Sequence, residues 1–159
     1  FCKVNERIPC KLLMVGDGPE RRRIENVCHE MGVFEHVRFL GKMEAIEEVL
    51  SVSDLFLMPS EKESFGLAAL EAMACEVPVI STDTGGLPEL NIHGKTGFMS
   101  PVGDVDDMVK HALFILHDEN LEEFKANALA RAQDFAIDQI RPMYEQLYAE
   151  VIEKNKVGA

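Results

Sequence analysis

The sequence contains no tryptophan, few aromatic residues (7%) and no apolar run of the roughly 18 residues that a membrane-spanning helix needs. Its first ten residues include charged side chains, which do not fit a signal peptide. Basic residues are also scarce, since 16 lysines and arginines stand against 28 aspartates and glutamates, for a net charge of −12. We therefore expect no nucleic-acid partner and no anionic membrane partner. Any bound anion needs a local feature, such as a helix N-terminus.

Cysteine and histidine patterns typical of metal or disulfide chemistry are missing as well. None of the four cysteines forms a C-x-x-C pair, and none of the five histidines has H-E-x-x-H spacing. These absences favour a cytoplasmic protein with reduced thiols and no metal site. The cysteines are Cys2, Cys10, Cys28 and Cys75.

Short apolar runs alternate with helical patterns along the chain. The apolar runs predict strands at 11–15, 37–41, 54–59, 78–82 and 96–101. The helical patterns predict helices at 19–31, 43–53, 66–75, 104–117, 120–134 and 138–154, with a short helical piece near 84–90. This alternation predicts an α/β fold, with a Rossmann-like parallel sheet covered by helices on both faces. A chain of 159 residues has about the size of one domain.

Four loops follow predicted strands and are expected to meet at the carboxyl edge of the sheet, where ligands of such folds bind. The glycine-rich turn at 16–18 does not match the spacing of a dinucleotide or P-loop motif, so a tight turn is the favoured interpretation. The glycines at 85 and 86 are likewise interpreted as a turn before a short helix. The four loops are 16–18, 41–43, 59–66 and 82–87.

The segment from Ser60 to Thr82 contains most of the candidate binding residues. If a helix begins near Gly66, the free N–H groups around that residue form an anion site. Glu63 precedes this end and Glu71 lies one to two turns inside the helix, so each carboxylate can accept hydrogen bonds from a sugar diol. The alternative is an exposed helix with glutamates near its N-terminus. The apolar surroundings of Glu71 predict that it is buried, and a buried carboxylate is costly unless it is used.

The motifs together resemble those of a known family. In order and spacing they are similar to the C-terminal, nucleotide-sugar-binding domain of retaining glycosyltransferases with the GT-B fold, in the group-one family. The resemblance covers nearly the whole chain, and its most specific part is the pair Glu63 and Glu71. The motifs are VGDGPE, VRFLG, SDLFLMPSEKESFGLAALEAMAC, PVIST, TGGLPEL and HGKTGF.

The resemblance implies a role for each loop. Glu63 would contact the reacting donor sugar as the candidate catalytic residue, and Glu71 would hold the ribose hydroxyls. The donor would be a nucleotide diphosphate sugar, with UDP-N-acetylglucosamine as the candidate, and neither a cofactor nor a metal is implied. The other donor-binding positions are Gly16 in the first loop, Gly41, Lys42 and Met43 at the edge of the base, and Ser64, Phe65, Gly66 and Leu67 at the diphosphate or sugar.

The sequence also departs from the family pattern. Glu76 stands where the family has glycine. The resemblance also implies a first strand–helix unit ahead of residue 11, with a basic pair for the pyrophosphate, and an N-terminal acceptor domain, and neither is found in these residues. The expectation is a fragment, the donor half of an enzyme that transfers a sugar to a small acceptor hydroxyl, and this half alone is expected to be inactive. The alternatives are a non-catalytic binding module, an inactive remnant and a fragment without a ligand. The last predicted helix has an apolar face that is expected to be exposed and to promote self-association. That face comprises Ile140, Met143, Tyr144, Leu147, Tyr148 and Val151.

Overall fold

The protein forms five strands and eight α-helices in the described residues of a computed structural model, which are residues 1–157 without the side chains of 118 and 155–157. The strands are β1 (Leu12–Val15), β2 (Val37–Gly41), β3 (Phe56–Met58), β4 (Val79–Thr82) and β5 (Gly97–Ser100). The helices are α1 (Cys2–Asn5), α2 (Arg21–Glu30), α3 (Ile46–Leu50), α4 (Leu67–Ala74), α5 (Leu87–Leu90), α6 (Val105–Ile115), α7 (Asp118–Gln133) and α8 (Ile137–Val157).

All strand pairs are parallel, as the alternating pattern predicts. Strand β1 pairs with β2, while β3, β4 and β5 form a second group in that order. The parallel α/β architecture is therefore confirmed. The difference from the prediction is that hydrogen bonds divide the five strands into two groups, because β1 and β3 do not pair within the described residues.

Helices cover both faces of the three-stranded group, as the contacts of β4 demonstrate. Consecutive side chains of a strand point to opposite faces. Val79 packs into a cluster with residues of α4, α5 and α7, whereas Ile80 packs into a second cluster with residues of α1, α6 and α7. Every residue of β4 is buried, as expected for a strand with neighbours on both edges and helices on both faces.

The element boundaries differ from the predictions by a few residues. Helix α2 begins at Arg21 rather than at Pro19, because Pro19 and Glu20 form a turn. A 3-10 helix at Phe34–His36 was not predicted. Asp104 caps α6 as predicted, since its carboxylate accepts a 3.0 Å hydrogen bond from the N–H of Asp107. Within residues 1–157, the helices are too short or too polar to span a bilayer.

A buried amide joins β4 to β5. The side-chain nitrogen of Asn91 donates to the carbonyl oxygens of Val79 and Phe98, both at 3.1 Å, and to the Ser81 hydroxyl at 3.0 Å. Its oxygen accepts a 2.9 Å hydrogen bond from the Thr96 hydroxyl. Asn91 is completely buried, so its contacts fix the segment between α5 and β5 against the sheet.

Candidate functional site

Hydrogen bonds join the four predicted loops in two pairs at the carboxyl ends of the strands. The N–H of Gly16 donates to the carbonyl of Gly41 at 2.7 Å, which links the loops after β1 and β2. The hydroxyl of Thr82 donates to the carbonyl of Ser60 at 2.6 Å, and that of Thr84 to the carbonyl of Glu61 at 3.2 Å. The end of β4 therefore holds the loop that carries the candidate sugar-binding residues.

Two glycines after β4 lie directly against this loop. A Cβ atom on Gly85 would stand 1.6 Å from the carbonyl oxygen of Glu63, and one on Gly86 would stand 2.4 Å from that of Ser64. No side chain fits at either position. The interpretation of these glycines as a simple turn therefore missed their contact with Glu63 and Ser64. Two consecutive glycines after a fully buried strand were the available signal.

Gly66 determines how α4 begins. It is the N-cap residue and has a φ of +98°, which favours glycine. A Cβ at this position would lie 2.7 Å from Cδ2 of Leu87. In the described part of the chain, no side chain caps this end, and the N–H groups of Gly66, Leu67 and Ala68 have no hydrogen-bond acceptor. This helix end thus has the free donors of an anion site.

The two candidate carboxylates differ in their surroundings. Glu63 is half-buried, and its Oε1 accepts a 3.0 Å hydrogen bond from the N–H of Ser64. Glu71 is exposed, so the prediction that it is buried is wrong. The buried positions of α4 are Ala69, Ala72 and Met73, and Glu71 lies outside that face. The cost of burying a carboxylate therefore gives no argument for a role of Glu71. The proposed role of Glu71 depends instead on its position, about 6 Å along the helix from Leu67.

The loop after β2 carries a basic neighbour that the sequence interpretation did not include. Gly41 has a φ of +72°, and a Cβ there would lie 3.7 Å from the guanidinium of Arg21. Arg21 stands over the ring of Phe39 at 5.7 Å and pairs with Glu25 at 2.9 Å. Lys42 is exposed beside it and Met43 is half-buried. The run of three arginines that opens α2 was the available signal for this positive charge.

An aromatic contact connects the loop before α4 to the turn that follows α7. The ring of Phe65 meets that of Phe135 edge-on at 5.6 Å, and the guanidinium of Arg131 stands 4.7 Å from the centre of the Phe135 ring. Arg131 also donates to the carbonyl oxygens of Glu89 and Leu90 at the end of α5. These contacts fix Phe65 and therefore help to position the N-terminus of α4.

The chain matches the family described as "Glycosyl transferases group 1" over residues 2–131, and it belongs to that family. The predicted family and the GT-B architecture are thus confirmed. Among the curated relatives, the chain is 42% identical to N-acetyl-alpha-D-glucosaminyl L-malate synthase of Bacillus anthracis, over 99% of this chain and 42% of the relative. The sequence of residues 60–75 resembles that of such malate synthases, and the 42% identity over the chain confirms this resemblance.

Solved structures agree with the fold. Sucrose-phosphate synthase from Thermosynechococcus elongatus superposes with a TM-score of 0.84 at 32% identity, over 96% of this chain and 41% of that one. Anabaena Alr3699/HepE in complex with UDP gives 0.81 at 27% identity, over 92% and 43%. The chain therefore spans about two fifths of the length of these proteins.

Proposed function

We propose that this chain is the donor-binding part of a retaining glycosyltransferase and that it binds a UDP-sugar, with N-acetylglucosamine as the candidate sugar. The observation that carries the proposal is the open N-terminus of α4, which presents unpaired N–H groups next to the carboxylate of Glu63. The name of the 42% identical relative and the UDP bound to the HepE structure support this choice of ligand.

In the proposed complex, the donor lies across the carboxyl edge of the strands. The diphosphate would accept hydrogen bonds from the N–H groups of Gly66 and Leu67. Glu63 would accept hydrogen bonds from hydroxyls of the sugar, and Glu71 from those of the ribose. The base would lie against the loop at 41–43, with Gly16 holding that loop through its bond to the Gly41 carbonyl.

The chemical contribution of this half would be stabilisation of the leaving group. When the bond between the anomeric carbon and the diphosphate oxygen breaks, negative charge accumulates on the diphosphate. A fixed helix end stabilises that charge without reorganising. The hydroxyl that accepts the sugar would be held by polypeptide outside this chain, so we expect the chain alone to bind the donor but not to transfer the sugar.

The two glutamates make the proposal testable because they are assigned to different parts of the ligand. Titrating the 15N-labelled chain with UDP and with UDP-N-acetylglucosamine should shift the amide signals of residues 66–68. Glu71→Gln should weaken the binding of both ligands by about tenfold, whereas Glu63→Gln should weaken only UDP-N-acetylglucosamine, because UDP lacks the sugar.

The matched control is Glu119→Gln, which removes an exposed carboxylate from α7. It should leave both affinities unchanged. Equal loss of UDP affinity in the Glu63 and Glu71 variants would contradict the assignment of Glu63 to the sugar. Amide shifts confined to residues outside both the four loops and the first turn of α4 would contradict the site itself.

A further inference from the structure

Arg21 is a fixed cation beside the loop that the base is proposed to contact. Its Nε donates a 2.9 Å hydrogen bond to the carboxylate of Glu25, one turn further along α2. Its guanidinium carbon stands 5.7 Å from the centre of the Phe39 ring, which is within the range of a cation–π contact. The ion pair and the ring together restrict the orientation of the planar guanidinium at the carboxyl end of β2.

The two amino groups of this guanidinium are available to a ligand. A guanidinium has five N–H donors, one on Nε and four on the two amino groups. Among the described residues, neither Nη1 nor Nη2 of Arg21 has a hydrogen-bond acceptor. No buried side-chain nitrogen in this part of the chain lacks a partner, so the amino groups of Arg21 reach solvent. Their N–H donors are therefore not used by the protein itself.

The space beside Gly41 leaves room for a planar ring next to these donors. A Cβ on Gly41 would lie 3.7 Å from Nη1 of Arg21. Apart from the chain neighbours, no other atom of the described residues would lie within 4 Å of that Cβ. Gly41 has a φ of +72° and presents bare backbone at this point. A base that lies against this backbone would therefore be within reach of the Arg21 amino groups.

The charges around Arg21 favour a neutral acceptor over a phosphate. The carboxylate of Glu25 offsets the positive charge of the guanidinium and would repel an anion. The proposed complex also gives the diphosphate another partner, which is the N-terminus of α4. A neutral carbonyl oxygen meets neither objection. Because a guanidinium only donates, it matches a base with a carbonyl oxygen and opposes one with an amino group at the same position.

We propose that Arg21 is a base-selecting residue of the donor site, and that its amino groups donate to O4 of a uracil ring that lies against Gly41. Cytosine has an amino group in place of this carbonyl oxygen, so two sets of N–H donors would then face each other. Arg21 would thus favour UDP-sugars over CDP-sugars. The inference rests on the proposed function, since it takes the base to lie at residues 41–43.

The other basic side chains nearby are less suited to this role. Lys42 is next along the loop but is exposed, and no partner in the described part of the chain holds its ammonium group. Arg22 is exposed and is likewise not held by a described residue. Arg23 already pairs with an exposed glutamate. A side chain that is already fixed loses less conformational freedom on binding, so Arg21 is the residue expected to discriminate between bases.

A comparison of UDP with CDP tests the inference on the complete chain. The two nucleotides carry the same diphosphate, so the net charge of −12 affects both affinities equally. Affinities are measured from the amide shifts of residues 66–68 in the 15N-labelled chain, with each nucleotide titrated to millimolar concentration. We expect UDP to bind about tenfold more tightly than CDP, which is the discrimination typical of one good pair of guanidinium and base.

Arg21→Met removes the donors and keeps an unbranched side chain. It should weaken UDP binding by about tenfold without weakening CDP binding, so that the variant no longer distinguishes the two nucleotides. Retained CDP binding also shows that the variant keeps a folded site. Arg22→Met is the matched control, because it removes the same charge from the next position of α2. This control should keep the preference for UDP.

Equal affinities of UDP and CDP for the unmodified chain would overturn the inference and leave the donor site standing, and this outcome depends on no variant. A preference for UDP that persists in Arg21→Met would overturn it too, because other residues would then select the base. An equal loss of preference in Arg22→Met would assign the effect to charge alone and contradict the role of the Arg21 donors. If neither nucleotide shifts the amides of residues 66–68, the proposed donor site itself fails, and this inference fails with it.

Discussion

Glu76 occupies a backbone conformation that side chains rarely adopt. Its φ is +61°, and within the described residues 1–157 no other non-glycine residue has a positive φ. The N–H of Glu76 donates to the Met73 carbonyl, and that of Val77 donates to the Ala72 carbonyl at 2.9 Å. This pattern ends a helix with a left-handed residue, which is usually glycine. The sequence departure at Glu76 thus corresponds to local backbone strain between α4 and β4.

Replacing Glu76 by glycine is expected to stabilise the protein. Glu76→Gly should raise the free energy of unfolding by about 1 kcal/mol, because a left-handed conformation costs a side-chain-bearing residue roughly that much. Urea denaturation measures the change. Glu76→Ala is the control, since it removes the same charge but keeps a Cβ. An equal gain from alanine would show that relief of the −12 net charge is the cause, and not relief of strain.

At the residue scale, the sequence predicted that α4 begins at a glycine and that Glu63 lies beside this helix end, because the two residues are close together in the sequence. It did not predict the exposure of Glu71, since burial depends on which face of α4 meets α7 and the sheet. It also did not predict the contact of Gly85 and Gly86 with Glu63 and Ser64, because that contact joins two loops that only the folded strands bring together.

The elements of the fold were predictable where apolar runs and helix signals are local. The order of strands and helices follows from these signals, and so does their parallel pairing. The 3-10 helix at Phe34–His36 has no such signal and was missed. The division of the strands into two groups was missed because pairing is decided by edges that are distant in sequence.

The amide of Asn91 should be essential for holding β4 and β5 together. Asn91→Ala leaves the buried carbonyl of Val79 and the buried hydroxyls of Ser81 and Thr96 without this partner. We expect the free energy of unfolding to fall by about 3 kcal/mol, which thermal or urea unfolding measures.

Asn26→Ala is the matched substitution for this test, because it removes the same side chain from an exposed position of α2. It should not lower the free energy of unfolding, since alanine favours a helix more than asparagine does. If both variants unfold at the same urea concentration, the Asn91 contacts do not stabilise the junction.

On the scale of the whole molecule, α8 leaves a large apolar surface uncovered. Ile137, Met143, Tyr144, Leu147 and Tyr148 are each more than half exposed. A groove next to Phe65 and Leu67 at the start of α4 continues this surface, with Ile140 and Leu70 in its lining. Exposed apolar surface of this extent is typical of a binding surface.

The chain is therefore expected to self-associate through α8. Sedimentation equilibrium should show a mean mass above the 17.8 kDa of one chain, increasing with concentration. Met143→Glu should shift the equilibrium toward monomer, because it places a charge in the apolar surface. Gln146→Glu adds the same charge to the same helix at a polar position and should have little effect. A strictly monomeric chain at all concentrations would contradict the prediction.

The contact between Phe65 and Phe135 has a practical consequence, because the chain contains no tryptophan. Phe135→Trp would introduce a single indole beside the loop that precedes α4, in the turn that follows α7. Its fluorescence would report the environment of that loop without background from any other indole. Rapid mixing with a ligand would then yield the rate at which that environment changes on binding, a quantity that no equilibrium titration provides.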